Sequence, residues 1–265
     1  MPIKALPSNR PLVFGHRGAA GQAPENTLPS FALARALGAD VFELDVHASS
    51  DGVICVMHDP DLERTTNGEG LLRSQTWSQL QKLDAGYRFT RDGVDFPYRG
   101  HGVRIPSLET LLRTFPDVPC NMEIKQEDPA IVEEVVRVVE RCDAAGRVIL
   151  AAEHDSIMAT IRRHAGDMVT SFATLEAMDF FSRVQSGNFD GYHPAGSALQ
   201  IPPRFGEVEL VTADSLAAAR RFNLEVHVWT INQREEMEEL VGLGVDAIMS
   251  DLPGLARAVV DSTRR

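Results

Sequence analysis

Short apolar runs alternate along the chain with longer segments in which apolar residues recur every three or four positions. The short runs predict β-strands and the longer segments predict helices. The predicted strands cover residues 11–15, 41–46, 53–57, Cys120–Ile124, 148–152, 169–172, 225–230 and 245–249. The predicted helices cover residues 28–37, Leu108–Thr114, 129–142, 156–164, 175–185, 213–222 and 233–243. Repeated strand–helix units of this kind are typical of an α/β protein with a parallel sheet.

The number of units favours a closed barrel over an open, doubly wound sheet. About eight barrel strands can be placed if residues 191–193 or Ala198–Ile201 supply the sixth and residues 208–211 the linker or the start of the seventh unit. A doubly wound sheet predicts a Gly-rich phosphate-binding turn after the first strand, where this chain has His16-Arg17-Gly18. We therefore predict a (β/α)8 TIM barrel in which residues 1–265 form one domain.

Local signals mark where several elements begin. Thr27 and Ser107 are predicted N-caps, and Pro129 is predicted in the first turn of its helix. The Asp51-Gly52 turn predicts a hairpin-like excursion before residues 53–57. Residues 60–105, with a short helical piece at 77–83, depart from the repeat. We predict that they form a small insertion after the second βα region, at the active-site face of the barrel.

Composition and charge narrow the class of protein. The net charge of −12 argues against a duplex nucleic-acid binder, which needs a basic surface. The three cysteines (Cys55, Cys120 and Cys142) are far apart, so neither a disulfide framework nor a zinc knuckle is predicted. Residues 1–10 lack the apolar core of a secretory signal, and no apolar run is long enough for a membrane span. We predict a reduced, cytoplasmic protein with no stable membrane insertion; the oligomeric state stays open.

Charged and polar side chains stand at or near the ends of four predicted strands. Residues two apart on a strand face the same side of the sheet. The side chains of Glu43 and Asp45 are therefore predicted to point the same way, as are those of Glu123 and Lys125. Charged groups at inward-facing positions are costly unless they bind a metal, pair with a charge or serve a function. The group as a whole predicts a metal-assisted phosphate site. Its members are His16, Arg17, Glu43, Asp45, His58, Glu123 and Lys125.

The residue types suit phosphoryl chemistry. Three carboxylates form a hard oxygen site for one divalent cation, Mg²⁺ or Ca²⁺, and fit zinc poorly. Two histidines with an ordinary pKa of about 6.5 can serve as acid and base near neutral pH. Arg17 offers a planar fork to phosphate, and Lys125 offers a point charge.

An ordered set of motifs resembles the glycerophosphodiester phosphodiesterase family, collinearly from residue 11 to residue 253. The motifs are His16-Arg17-Gly18, Pro24-Glu25-Asn26-Thr27, Glu43-Leu44-Asp45-Val46, His58-Asp59, Arg64-Thr65-Thr66 with Gly68, Ile105-Pro106-Ser107-Leu108-Glu109, Asn121-Met122-Glu123-Ile124-Lys125, Val228-Trp229-Thr230-Ile231-Asn232 and Gly244-Val245-Asp246-Ala247-Ile248. The resemblance implies a TIM-barrel hydrolase that uses a divalent cation to cleave glycerophosphodiesters to sn-glycerol 3-phosphate and an alcohol. It also raises an internal route, in which the glycerol 2-hydroxyl attacks first and gives a cyclic phosphate.

The resemblance implies a role for each matching residue. Glu43, Asp45 and Glu123 match the metal ligands of the family. His16 and His58 match its catalytic acid–base pair. Arg17 and Lys125 match its phosphate-contacting cations. Apart from the resemblance, Trp229 ends an apolar strand and is predicted to wall the substrate pocket, with a place in the core as the alternative.

Other functions remain open at this point. The apolar segments Ala151-Ala152 and Leu199-Gln200-Ile201-Pro202 leave room for an acyl chain, as in lysophospholipase D-type hydrolysis. A metal-dependent, enolase-like lyase would use Lys125 as its base. A binding protein on a barrel that has lost its activity is a further alternative, although all seven charged site residues are present. For Asp251, a supporting role in the site and an N-cap of the last helix both remain possible.

Overall fold

A computed structural model of the chain describes residues 5–263. Residues 1–4 and 264–265 lie outside the described residues. The first four belong to the segment 1–10 that is predicted to lack a secretory signal. The strands are β1 (Leu12–Gly15), β2 (Val41–Ala48), β3 (Ile54–Val56), β4 (Cys120–Ile124), β5 (Val148–Ala151), β6 (Val169–Thr170), β7 (Ala198–Ile201), β8 (Arg204–Phe205), β9 (Val208–Glu209), β10 (Glu225–Val228) and β11 (Ala247–Ser250).

The helices lie mainly between the strands, as the sequence pattern predicts. They are α1 (Leu28–Ala36), α2 (Trp77–Leu80), α3 (Leu108–Thr114), α4 (Val132–Arg141), α5 (Asp155–His164), α6 (Thr174–Ser186), α7 (Ala213–Arg221), α8 (Arg234–Leu243) and α9 (Pro253–Thr263). Short 3₁₀ turns cover Leu72–Ser74 and Ala145–Arg147. Within residues 5–263, no helix is both long and apolar enough to cross a lipid bilayer.

Eight parallel strands form the barrel, in the spatial order β6-β5-β4-β2-β1-β11-β10-β7. The two ends of this order meet through a parallel bridge between Ser171 and Ala198. The backbone N–H of Phe172 donates to the carbonyl of Ala198 at 2.9 Å on the same side. The predicted (β/α)8 barrel is therefore confirmed.

Several local predictions can be compared with the observed elements. Ala198–Ile201 supplies the sixth barrel strand, whereas residues 208–211 contribute β9 to a separate antiparallel hairpin with β8. The predicted excursion after β2 is confirmed, because β3 pairs antiparallel with β2. The prediction for Pro129 is wrong: α4 begins only at Val132, and Pro129 lies in the preceding turn, where its carbonyl accepts from the Gln126 side chain at 2.9 Å.

Helices α1 and α3 each begin with a side-chain N-cap. The Thr27 hydroxyl accepts a hydrogen bond from the Ser30 N–H at 3.4 Å at the start of α1. The Ser107 hydroxyl accepts from the Thr110 N–H at 3.1 Å at the start of α3. Each cap satisfies an N–H group that the helix itself leaves unpaired. Both predicted N-caps are confirmed.

The alternation of side chains along the strands separates the core from the site. On β2, Phe42, Leu44 and Val46 are fully buried against the surrounding helices. The intervening Glu43 and Asp45 point to the inside of the barrel, since successive strand residues face opposite sides. Apolar side chains fill much of the lower interior, whereas the predicted site residues lie at the carboxyl ends of the strands. The interior cluster contains Leu12, Phe14, Val41, Ile149, Ala198, Ala247 and Met249.

The segment between β3 and α3 contains α2 and a small apolar cluster of its own. This cluster contains Cys55, Met57, Leu62, Leu72, Leu80, Ala85, Val103 and Ile105. Its packing holds the start of the segment, residues 57–66, beside the carboxyl end of the barrel. The start of the segment therefore supplies His58 to the site.

Candidate active site

Three carboxylates meet at the carboxyl ends of two neighbouring barrel strands. Glu43 and Asp45 come from β2, and Glu123 on β4 lies opposite Asp45 in the strand register. One oxygen from each of the three lies within 4.8 Å of the others. Glu43 and Asp45 are buried, while Glu123 is partly exposed. The structure thus brings together the three residues predicted as metal ligands.

Two cations border these carboxylates. The Lys125 Nζ lies 2.7 Å from a Glu123 oxygen and 3.5 Å from an Asp45 oxygen. The Arg17 Nε lies 3.4 Å from the other Asp45 oxygen, and the Arg17 backbone N–H donates to Glu43 at 2.9 Å. Both predicted phosphate-contacting residues therefore lie directly beside the acidic cluster.

Burial and mutual repulsion shape the charges of the cluster. Burial, reinforced by the negative charge of Asp45, raises the pKa of Glu43 to about 7. Burial also raises the pKa of Glu123. For Asp45 burial acts in the same direction, but the charges of Lys125 and Arg17 outweigh it and hold its pKa below the ordinary value. The site therefore holds more carboxylates than its own cations stabilise in the ionised form.

The two predicted catalytic histidines each bond to a carboxylate through Nδ1. The Nδ1 of His16 lies 2.7 Å from Asp251, and that of His58 lies 2.6 Å from Asp59. A carboxylate partner at Nδ1 favours the tautomer whose Nε2 can exchange a proton. In His16 the Nε2 lies 4.0 Å from Glu43. The two imidazoles thus share one arrangement, and both line the same cavity as the cluster.

Asp251 is held in place by Asn232. The Asn232 side-chain amide donates to Asp251 at 2.6 Å, and its oxygen accepts from the Asp251 backbone N–H at 2.9 Å. Burial lowers the pKa of His16, but the hydrogen bond to Asp251 and the charge of Glu43 outweigh it and leave this pKa above 6.5. Of the two roles left open for Asp251, its contacts favour support of the site.

Arg64, from the segment after β3, joins the carboxylate partner of His58 to the surroundings of Arg17. Its two terminal nitrogens lie 2.6 and 2.7 Å from the oxygens of Glu25, and its Nε pairs with Asp59. Glu25 in turn accepts from Arg17 at 3.0 Å. A continuous chain of ion pairs therefore runs from the partner of His58 to Arg17.

Sequence reasoning assigned no role to Asp59 or Arg64 and left that of Asp251 open. A signal existed for Asp251, because it directly follows a strand in the same way as the predicted site residues. Arg64 gave no such signal, since it lies in an irregular segment and its partner Glu25 is far away in sequence. Only the tertiary structure brings those two side chains together.

A cavity of about 930 Å³ opens at the carboxyl ends of the strands. Its lining includes every predicted site residue: His16, Arg17, Glu43, Asp45, His58, Glu123, Lys125 and Trp229. Trp229 directly follows β10 and is 41% exposed, so part of its indole faces the open side. Another part of the lining comes from α6 and the β8–β9 hairpin and is largely apolar, although Ser182, Gln185 and Glu209 also contribute to it. The cavity thus joins a charged end to an apolar side.

Comparisons with known proteins agree with this geometry. A sequence model of the Glycerophosphoryl diester phosphodiesterase family matches residues 16–255. A glycerophosphodiester phosphodiesterase of Caldanaerobacter subterraneus subsp. tengcongensis is 30% identical over 249 residues, which cover 91% of this chain and 94% of that protein.

Solved structures show the same relationship. The glycerophosphoryl diester phosphodiesterase domain of an uncharacterized protein from Mycobacterium tuberculosis has a TM-score of 0.84 and 27% identity, covering 97% of this chain and 100% of that one. A glycerophosphodiester phosphodiesterase from Agrobacterium tumefaciens has a TM-score of 0.75 and 28% identity, covering 93% and 99%. The chain therefore belongs to the glycerophosphoryl diester phosphodiesterase family of phosphoric diester hydrolases.

Proposed function

We propose that the protein hydrolyses glycerophosphodiesters to sn-glycerol 3-phosphate and an alcohol, with one divalent cation and with His16 and His58 as acid and base. The observation that carries the proposal is the meeting of an acidic cluster, two cations and two carboxylate-paired histidines in one cavity. Such a set provides a cation site, anion contacts and proton transfer within reach of a single phosphate.

The acidic cluster fits a divalent cation by its chemistry. Glu43, Asp45 and Glu123 offer only oxygen ligands, which suits Mg²⁺ or Ca²⁺. The raised pKa values of Glu43 and Glu123 reflect negative charge that the described side chains do not fully stabilise. When bound, the cation would neutralise charge on the phosphate oxygens.

Arg17 and Lys125 would capture and orient the phosphate. A protein with a net charge of −12 repels anions at a distance, so local cations must hold the substrate. Arg17 can present parallel N–H donors to two phosphate oxygens, and Lys125 can move its ammonium group from Glu123 towards a third. The flat face of Trp229 would bound the adjoining organic group.

The two histidines would move the protons. One imidazole removes a proton from the attacking hydroxyl, of water or of the glycerol itself, as its oxygen bonds to phosphorus. The other gives a proton to the leaving alcohol as the phosphorus–oxygen bond breaks. Asp251 and Asp59 hold the two rings and stabilise the protonated forms. A substrate without the glycerol 2-hydroxyl tests the internal route, because undiminished turnover would show that this hydroxyl is not required.

The direct test is hydrolysis of glycerophosphocholine by protein stripped with EDTA, with Mg²⁺ or Ca²⁺ added back. A coupled assay detects released glycerol 3-phosphate. We expect no turnover without metal and restored turnover with one of the two cations. Turnover that persists in EDTA would reject the metal-dependent proposal, and no turnover with either cation would reject the substrate.

Lysophospholipase D-type hydrolysis is the second candidate, favoured by the apolar wall of the cavity. Its substrate carries the same phosphodiester, with an acyl chain on the glycerol side. Lysophosphatidylcholine assayed in parallel separates the two candidates. If the protein hydrolyses only the lysolipid and not glycerophosphocholine, lysophospholipase D-type hydrolysis replaces the main proposal.

The structure disfavours the lyase alternative at Lys125. A lyase base must lose its proton near neutral pH. Burial lowers the pKa of Lys125, but the charges of Asp45 and Glu123 outweigh burial and raise this pKa above its ordinary value. The ammonium group therefore stays protonated and is suited to binding an anion.

We also propose a cytoplasmic location, from the state of the cysteines. Cys55, Cys120 and Cys142 are free thiols. Burial raises the pKa of Cys55 to about 12 and that of Cys120 to about 11, so both remain protonated and unreactive. Free thiols of this kind are typical of a reducing compartment.

A further inference from the structure

The cavity continues from the charged end into a groove lined by apolar side chains. We define the apolar groove by Met178 and Phe181 of α6 and by Phe205, Val208 and Leu210 of the β8–β9 hairpin region. These side chains and the acidic cluster line one continuous cavity. Its volume of about 930 Å³ lies at the upper end of the range for small-molecule sites, roughly 300–1,000 Å³.

Three of the large exposed hydrophobic residues of the described chain lie in the groove. Phe205 is 77% exposed, and Met178 and Val208 are each 62% exposed. Scattered exposed hydrophobic residues are ordinary, but a contiguous set beside a polar site points to a ligand. The large exposed hydrophobic residues within residues 5–263 are Leu71, Val94, Leu175, Met178, Phe205, Val208, Trp229 and Leu243; four of these eight line this cavity.

The hairpin has a defined shape that holds its apolar side chains beside the cavity. It lies between β7 and α7, at the carboxyl end of the barrel where the site is built. Gly206, with a φ of +59°, forms the turn between β8 and β9, and Arg204 pairs with Glu209 at 3.2 Å. The backbone N–H of Leu210 also donates to the Pro203 carbonyl at 2.8 Å.

We propose that the apolar groove binds an alkyl chain on the leaving alcohol of the substrate. This inference rests on the proposed phosphodiesterase function. The apolar occupant follows from continuity: a group esterified to a phosphate between Arg17 and Lys125 extends into the groove without leaving the cavity. We place it on the leaving alcohol, and a chain on the glycerol side is the alternative that a flat series below would favour. A small polar alcohol would leave these apolar side chains in water, whereas an alkyl chain covers them.

The test uses glycerophosphodiesters whose leaving alcohols are ethanol, butanol, hexanol and octanol, assayed with metal below their micelle concentrations. All of them release glycerol 3-phosphate, so one coupled assay serves the whole series. The groove is open on one side, so we expect kcat/KM to rise about two-fold for each methylene, and roughly 60-fold from ethyl to octyl.

Variants then locate the effect in the groove. Phe205→Ser combined with Met178→Ser should reduce the octyl-to-ethyl ratio of kcat/KM at least about ten-fold. Both side chains are largely exposed, so little folding energy depends on them. The matched control is Val94→Ser, which truncates a side chain that is also 77% exposed but lies outside the cavity lining. The control should keep the wild-type ratio.

The outcomes separate the two levels of the proposal. Ethyl ester hydrolysis without any rise along the series would overturn the groove assignment and leave the proposed function standing. A flat series with binding to phosphatidylcholine vesicles that the double variant loses would overturn it in favour of a membrane surface. If the folded protein with metal hydrolyses none of the four substrates, the proposed function itself is overturned.

Discussion

Glu43→Gln should stabilise the metal-free protein while it removes the response to metal. Burial and the charge of Asp45 raise the pKa of Glu43 from about 4.5 to about 7 in the folded chain. The folded state therefore prefers the protonated carboxyl, and ionisation of Glu43 destabilises it as the pH rises between those two values. At about 1.36 kcal/mol for each pH unit between them, the cost above pH 7 is about 3 kcal/mol. The neutral amide of the Glu43→Gln variant avoids this cost because it does not ionise.

Thermal unfolding in EDTA between pH 5 and pH 8 measures this effect. At roughly 2–4 °C for each kcal/mol, the variant should melt about 6–12 °C above the wild type at pH 8. The difference should shrink towards zero near pH 5, because the wild-type carboxyl is then protonated. Added Mg²⁺ or Ca²⁺ at one hundred times Kd should stabilise the wild type by about 2.7 kcal/mol and so raise its melting temperature. The same cation should raise the melting temperature of the variant much less.

Glu235→Gln is the matched control, since Glu235 is exposed on α8 and lies outside the cavity lining. It should change neither the pH dependence nor the response to metal. A Glu43→Gln protein that melts below the wild type at pH 8 in EDTA would refute the argument from buried charge. An unchanged metal response would show that Glu43 is not a ligand.

Three further predictions concern proton transfer and its support. His16→Ala and His58→Ala should each lower kcat about 10²–10⁴-fold with a melting temperature close to that of the wild type, and wild-type turnover in either variant would remove that histidine from the mechanism. Asp251→Asn should lower the pKa of His16, because the hydrogen bond from the imidazole to a charged carboxylate is lost. It should also lower kcat roughly 10- to 100-fold. NMR titration of His16 measures the pKa, and an unchanged titration would contradict the prediction. Arg64→Lys keeps the charge but loses the planar fork that holds both oxygens of Glu25 while its Nε pairs with Asp59, so kcat should fall about 10-fold. A change confined to KM would contradict a positioning role.

Much of the fold follows from local patterns that the sequence carries by itself. Side-chain alternation on β2 separates Glu43 and Asp45 from their apolar neighbours, because a strand repeats every two residues. The hydroxyls of Thr27 and Ser107 mark helix starts through contacts only three residues away. Since parallel strands place their carboxyl ends at one edge, polar residues at several strand ends were sufficient to predict one shared site.

Contacts between distant segments were decided only by the tertiary structure. Asp251 reaches His16 and Arg64 reaches Glu25 because barrel closure and the packing of the inserted segment bring their backbones together. The apolar groove joins α6 to the β8–β9 hairpin, two elements that the strand–helix pattern treats as unrelated. Periodicity reports which face of an element is buried, but it does not report which other element covers that face. The sequence by itself therefore determined the barrel and the type of chemistry, whereas three-dimensional packing decided how the histidines are oriented and what shape the substrate cavity has.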